Sequence, residues 1–254
     1  MLYYNYYTYM NGFEPEYLFG TDSQGYDLSL RMADGIRLSL LLAICVSVLN
    51  LTIADEAGAA SAAESIASKT PEVIAAQCAV REAADSLIAQ AGEAYAVGAD
   101  FESVGGGYHV ILYRPDVYSF SSAELCPMAY LSYVAEDERG AFAYCVLRCT
   151  ENKEKFVFCS TDISALDEVD QASRMKVLAD FASNSDRLPI VISGLFSGQD
   201  TIDTLLDAGQ TDFARLAGVQ TDGCLYGSYK RIVPSVVEQP GDGQLYCEFQ
   251  MVQK

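Results

Sequence analysis

Residues 156–197 read FVFCSTDISALDEVDQASRMKVLADFASNSDRLPIVISGLFS and predict a strand, a crossover helix and a second strand. The first apolar run, 156–159, is short and sharply bounded, as is typical of a buried strand. Between residues 171 and 182 the apolar residues recur on one helical face, whereas charged residues such as Arg174 lie off that face and are expected to meet water. The apolar β-branched run 190–192 then predicts an interior strand.

The turns that follow the two predicted strands, 160–164 and 194–197, are the expected place for any chemistry. A helical crossover makes the two strands of one sheet parallel, so their carboxyl ends meet at the same edge. Proteins of the α/β class usually place their binding and catalytic residues at that edge.

The composition predicts a folded, acidic protein. Of the 254 residues, 50% are hydrophobic and 20% are charged, which argues against disorder. The 16 Lys and Arg residues against 35 Asp and Glu residues give a formal net charge of -19, and no run of basic residues occurs. Such a charge repels polyphosphate chains, so nucleic acid is not an expected partner, whereas a small phosphate ester bound through a metal ion stays open.

Cysteine and histidine do not form a metal-binding pattern. The eight cysteines are scattered without a CxxC pair, and His109 is the only histidine, so zinc is not expected. Cys145 and Cys149 have the same parity on a predicted strand and are expected to be buried thiols. His109 lies in the predicted strand 108–113 without an acidic partner nearby in sequence, which favours a structural histidine over a general base.

The first part of the chain supports no safe fold prediction before residue 36. Its first residues are aromatic and polar, so export is not expected, and a cytoplasmic or a membrane-associated location stays open. Residues 36–53 form the most apolar stretch, at the lower edge of the length of a membrane span. A membrane helix, a buried core helix and a first strand are the alternatives for this stretch.

Other predicted elements make the chain an α/β protein. Gly92 is a natural end for a helix over 81–91, and Pro71 ends an earlier one. The expected helices are 61–69, 81–91 and 201–208, and the expected strands are 73–76, 108–113, 142–149 and 245–252.

The N-terminal region contains LFGTD at 18–22, Gly25, Asp27 and GIRLSL at 35–40. In these residues it resembles the membrane subunit of peptide-importing ABC transporters. The match covers about 17–53, a small fraction of a permease. It implies a permease-like or irregular apolar segment over 1–49 and a membrane association through 36–53.

The rest of the chain, 50–254, contains seven ordered fragments: TPEVI with Gln77 at 70–77, ILYR at 111–114, FVFCST at 156–161, Ser173-Arg174 with its helix, PIVISGLFS at 189–197, Thr211-Asp212, and Asp242 with 246–249. In these fragments and their order it resembles the endonuclease/exonuclease/phosphatase superfamily. The resemblance implies two packed β-sheets flanked by helices, a four-layer α/β/β/α sandwich whose completeness stays open. It also places Asn50 on a first strand that starts near Val46.

In that family a Glu holds Mg²⁺ and a His with an Asp partner activates water. This chain has other residues at nearly all of these positions: Cys78 for the metal Glu, Asp162 and Ser164 for the His and Asp, Leu195 and Ser197 for a further Asp and Asn, and Gly243 for the closing His. Asn50 and Asp242 match the family. The resemblance therefore implies a degenerate phosphoesterase-like domain without catalysis, a pseudoenzyme with a binding or structural role.

Two alternatives remain for the function. Asp162 and Asp242 could share Mg²⁺ and support a weak phosphodiesterase or sugar-phosphate phosphatase, since two carboxylates with waters suffice for that ion. A fragment of a transporter subunit anchored in the membrane is the second alternative. A Cys78 nucleophile is not expected, because only a helix N-terminus is at hand to lower its pKa, and an inert thiol is expected instead.

Overall fold

The computed structural model describes residues 44–102, 107–126, 142–151, 153–184, 188–196, 199–216, 223–227 and 232–251. All of these residues except Ile44 lie in one compact unit, Cys45–Val252. Residues 1–43, which include the residues that carry the permease resemblance, lie outside the described ranges, and so does Ser197.

The described residues form twelve strands and five helices. The strands are β1 (Ile44–Ile53), β2 (Val73–Cys78), β3 (Ala96–Glu102), β4 (Tyr108–Tyr113), β5 (Tyr118–Cys126), β6 (Phe142–Cys149), β7 (Lys155–Asp162), β8 (Ile190–Leu195), β9 (Thr211–Asp212), β10 (Gly223–Gly227), β11 (Ile232–Glu238) and β12 (Gln244–Met251). The helices are α1 (Glu56–Lys69), α2 (Arg81–Ala91), α3 (Glu168–Asn184), α4 (Gln199–Asp207) and α5 (Phe213–Leu216), and a 3₁₀ turn spans Gly92–Ala94.

These strands build two six-stranded mixed sheets. The first has the order β11-β12-β1-β2-β4-β3 and the second the order β5-β6-β7-β8-β10-β9. An apolar cluster joins the first sheet to α1 and α2, and another joins the second sheet to α3 and α4. Side chains from the inner faces of the two sheets contact one another, as Gln77 of β2 does with Ser160 of β7. The predicted four-layer α/β/β/α sandwich is confirmed.

The central unit has the predicted order of strand, helix and strand. The strands β7 and β8 pair in parallel, with Phe158 opposite Val191. Asp167 begins α3, because its carboxylate accepts hydrogen bonds from the backbone amides of Val169 and Asp170, each at 3.0 Å. Arg174 departs from the prediction, since it is only 5% exposed rather than facing water.

The stretch 36–53 is a strand over its described part. β1 begins at Ile44 and pairs in parallel with β2 from Val48 onward, so a membrane or core helix over 44–53 is wrong. Its inward residues alternate with residues that pack under α1 and α2, as a strand covered on both faces requires. Among the described residues, no helix has the length and apolar character needed to cross a membrane.

The helix α1 begins five residues before the predicted one. Asp55 caps its first turn by accepting a hydrogen bond from the amide of Gly58 at 2.9 Å. The helix ends at Thr70, whose φ of 44° is left-handed, and Pro71 follows. The small residues Ala59 and Ala62 are fully covered, so α1 packs closely on the sheet.

Candidate functional site

The parallel pair of β1 and β2 and the parallel pair of β7 and β8 end at the same rim of the sandwich. Near the start of β2, Glu72 accepts a hydrogen bond from Tyr118, and Tyr118 also packs on Phe156 at the start of β7. Near the other end of β2, Gln77 donates to Ser160 in the last part of β7. Because β2 and β7 therefore run in the same direction, the ends of both pairs form one rim, where the sequence predicts the site.

Cys78, for which the sequence resemblance predicts the position of a metal-binding Glu, faces away from the opposite sheet. It lies in the apolar cluster beneath α1 and α2, whereas its neighbour Gln77 points between the sheets, as alternation along a strand requires. Burial, and to a smaller extent the nearby carboxylate of Asp100, raises the pKa of the Cys78 thiol to about 12. The group is therefore a protonated thiol at neutral pH and a poor nucleophile.

Asp162 and Ser164 bond to one another at the end of β7. Asp162 Oδ1 accepts from the Ser164 amide at 3.0 Å and from the Ser164 hydroxyl at 2.7 Å. This is a local turn of the kind that Asp commonly stabilises. Leu195 lies directly opposite Asp162 in the register of β8, so an apolar side chain occupies the adjacent rim position.

The turn before β12 holds Asp242 and Gly243. Asp242 is exposed, and Gly243 has a φ of 66°. The carbonyl of Gly243 accepts a hydrogen bond from the Thr52 amide at 2.8 Å. A Cβ on Gly243 would lie 3.1 Å from the Thr52 carbonyl oxygen, so the family's histidine would be strained at this position.

These residues do not fit the family's Mg²⁺ site. Mg²⁺ needs several hard oxygen ligands in an octahedral arrangement. Cys78 offers a protonated thiol on the wrong side of the sheet, Leu195 offers no ligand, and the Asn50 carbonyl oxygen already accepts the Ser193 hydroxyl. No group of three or more His, Cys, Asp or Glu that could hold a metal ion occurs in the described parts of the chain.

Between the sheets lies a cluster of polar side chains that the sequence reasoning did not bring together. We call this set the inter-sheet polar cluster; its members are Asn50, Gln77, His109, Ser160 and Ser193, all buried. Gln77 Nε2 donates to Ser160 Oγ at 3.1 Å, and Ser160 Oγ lies 3.4 Å from His109 Nδ1. The signal that could have found the cluster is a polar residue at an inward position of an otherwise apolar strand.

The surroundings of His109 keep its imidazole neutral. Burial lowers its pKa to about 4, although the negative charge of Asp162 opposes this shift. Asp162 is thus an acidic neighbour in space that the linear sequence did not reveal. The trio of Ser160, His109 and Asp162 still does not make an accessible nucleophile, because Ser160 has no exposed surface and already accepts the Gln77 amide.

Comparison with known proteins identifies the fold. No protein-family model and no curated protein matches the chain, so the permease resemblance of residues 17–53 gains no support. The structure is similar to an endonuclease/exonuclease/phosphatase from Bacteroides vulgatus, with 11% identity, a TM-score of 0.66 and coverage of 83% of this chain and 100% of that one.

Two further solved structures show the same likeness. One is a mannosyl-6-phosphatase of Bacteroides thetaiotaomicron, with 10% identity, a TM-score of 0.62 and coverage of 82% and 100%. The other is the human nocturnin catalytic domain, with 12% identity, a TM-score of 0.61 and coverage of 84% and 98%. These neighbours support the resemblance to the superfamily at the level of the fold.

Proposed function

We propose that residues 50–254 form a degenerate phosphoesterase-like domain that does not hydrolyse phosphate esters and has a binding or structural role. The position of Cys78 carries the proposal. A thiol with a pKa of about 12, packed beneath two helices, takes the place of the family's metal carboxylate.

The other replaced positions support the same conclusion. A leucine stands beside Asp162 at the rim, and a glycine in a left-handed conformation stands where the family has its closing histidine. Loss of a single member of a catalytic unit typically costs several orders of magnitude in rate. Here the metal carboxylate and both histidines of the family are replaced together.

The second candidate is a weakly active, Mg²⁺-dependent phosphodiesterase or sugar-phosphate phosphatase that uses Asp162 and Asp242. One observation favours it: Asp162 lies at the rim, close enough to His109 to influence its pKa. The mannosyl-6-phosphatase among the structural neighbours makes a hexose phosphate a reasonable substrate class to include in the test.

A turnover assay distinguishes the two candidates. The full chain is incubated with bis(p-nitrophenyl) phosphate or with a hexose phosphate, in the presence of Mg²⁺ or Mn²⁺. We expect no release of product above the protein-free control. Turnover that disappears in Asp242→Ala but persists in Asp180→Ala, an exposed aspartate on α3, would instead establish the weak enzyme and exclude a contaminating phosphatase.

We also propose that the protein does not bind nucleic acid, because the formal net charge of -19 of the full chain opposes contact with a phosphate backbone. A mobility-shift titration with single-stranded and double-stranded DNA at low salt tests this, since low salt favours any electrostatic binding. Binding that weakens steeply with added salt would contradict the proposal.

A further inference from the structure

Three buried polar atoms on β1 and β2 lack a hydrogen-bond partner among the described residues: Asn50 Nδ2, Thr52 Oγ1 and Gln77 Oε1. They lie on one face of the sheet, because Asn50 and Thr52 are two residues apart on β1 and Thr52 is the register partner of Gln77 on β2. Leaving a buried polar group unsatisfied costs about 1–3 kcal/mol, so three neighbouring ones call for a common partner.

The two amides are held in place by bonds to the opposite sheet. Asn50 accepts the Ser193 hydroxyl through Oδ1, and Gln77 donates to Ser160 through Nε2. Neither amide can rotate its free atom towards another partner without breaking a cross-sheet bond. The common partner must therefore come to these atoms.

The chemistry of the three atoms selects a small neutral ligand. The Asn50 amide donates and so disfavours a cation, whereas the Gln77 carbonyl accepts and so disfavours an anion. Asn50 and Gln77 are only 1% and 2% exposed, which leaves no path for a large molecule. The ligand must both accept and donate hydrogen bonds.

We propose that one water molecule is bound here as part of the fold. It accepts hydrogen bonds from Asn50 Nδ2 and from the Thr52 hydroxyl and donates one to Gln77 Oε1, and three bonds are typical of a buried water. The water completes an unbroken chain of hydrogen bonds between the two sheets, from Ser193 to His109. The inference does not depend on whether the domain hydrolyses phosphate esters.

The Thr52→Val variant tests the site through the sign of its effect on stability. Valine keeps the shape of threonine and removes only the hydroxyl. If water bonds to Thr52 Oγ1, the variant loses one net hydrogen bond, and its folding equilibrium constant falls about fivefold. If Thr52 Oγ1 has no partner, removal of the hydroxyl raises the constant, and the proposal is overturned.

A matched control calibrates the expected loss. The Thr150 hydroxyl donates to the carbonyls of Val117 at 2.9 Å and Asp116 at 3.1 Å, so Thr150→Val removes hydrogen bonding that is visible in the structure. Urea unfolding of the full chain, with either substitution, gives both equilibrium constants. We expect both substitutions to lower the folding equilibrium constant.

Nuclear magnetic resonance detects the water without any substitution. We expect cross-relaxation peaks from a long-lived water to the Thr52 γ-methyl protons and to the Asn50 side-chain amide in the intact protein. The absence of these peaks overturns the proposal, including in the case where Thr52→Val does not fold.

Discussion

Acidification is predicted to destabilise the two-sheet unit through His109, the only histidine of the chain. The imidazole is 3% exposed, and burial lowers its pKa from 6.5 to about 4 despite the opposing charge of Asp162. Unfolding restores the ordinary pKa, so the unfolded state binds more protons between these two values. The stability that depends on a neutral His109 is therefore complete above about pH 6.5 and is lost as the pH falls towards 4.

The size of the effect follows from the difference between the two pKa values. A pH of about 5 is about 1.5 units below the pKa of the histidine in the unfolded chain, so that histidine is mostly protonated. In the folded protein the imidazole is still mostly neutral at this pH. Each unit is worth about 1.4 kcal/mol, so the unfolding free energy falls by about 2 kcal/mol. The total unfolding free energy of most domains is only about 5–15 kcal/mol, so this loss is a large part of it.

Glu72 acts in the opposite direction and must be separated from His109. Burial raises the pKa of Glu72, so its favourable contribution is present at low pH and is lost as the pH rises through its folded value. The His109→Gln variant provides the separation, because it keeps Glu72 and every other carboxylate and removes only the group under test.

Urea unfolding at neutral pH and at about pH 5 measures the effect. We expect the wild-type protein to lose about 2 kcal/mol more than His109→Gln between the two conditions. The single imidazole also gives one unambiguous titration curve in the magnetic resonance spectrum of the folded protein. A folded pKa near 6.5, or equal losses in the two proteins, would refute the reasoning.

Three further predictions concern the rim. Gly194→Ala should lower the unfolding free energy, measured by urea unfolding, by about 3 kcal/mol. The reason is that a Cβ at Gly194 would lie 2.6 Å from the Thr161 carbonyl oxygen of the paired strand. A loss below about 0.5 kcal/mol would contradict this packing. Gly243→His places a histidine at a φ of 66°, and this strained backbone should lower the unfolding free energy by about 1–2 kcal/mol in the same assay. The variant is expected to show no phosphodiester turnover. Metal-dependent turnover would contradict the proposed function. Cys78 should not react with iodoacetamide at neutral pH until the protein is unfolded, because its thiol is buried and has a pKa of about 12. Peptide mass spectrometry shows whether Cys78 is labelled. Rapid labelling of Cys78 in the folded protein would contradict the prediction and show that the thiol is accessible.

The central part of the fold is predictable from sequence because its signals are local. The run 156–159 and the run 190–192 are apolar at every position, which indicates strands covered on both faces, and they become β7 and β8. The resemblance to the superfamily, which rests on the order of short fragments, added the number of layers. Periodicity alone could not supply that number, since it does not say which strands share a sheet.

The edge strands β3 and β5 were not predicted, for a physical reason. Each pairs with a neighbour on one side only, so its sequence is not constrained to be apolar throughout. β3 reads AVGADFE and β5 reads YSFSSAELC, and each contains a register shift of the bulge type. Acidic residues, serine and an irregular register hide the alternation that identifies a strand.

Burial of Arg174 shows the limit of helical periodicity. The pattern of α3 locates the face that packs on the sheet, where Met175 and Leu178 are buried as predicted. It does not reveal that α4 packs beside α3, which adds a second covered face. A charged residue off the first face can therefore still be buried, and only the arrangement of neighbouring helices decides the outcome.

The candidate site depends on the parity of adjacent residues, which the motif resemblance does not specify. Gln77 and Cys78 are neighbours, yet the first joins the inter-sheet polar cluster and the second the apolar cluster under the helices. Substituting Glu for Cys78 alone would therefore bury a carboxylate among apolar side chains instead of adding a ligand at the rim. Recovery of a metal site would require the end of β2 to turn its last side chain towards Asp162, and the cross-sheet bonds of Asn50 and Gln77 oppose that movement. Under the proposed function, the bonds that join the two sheets thus stand against the creation of a metal site by a single substitution.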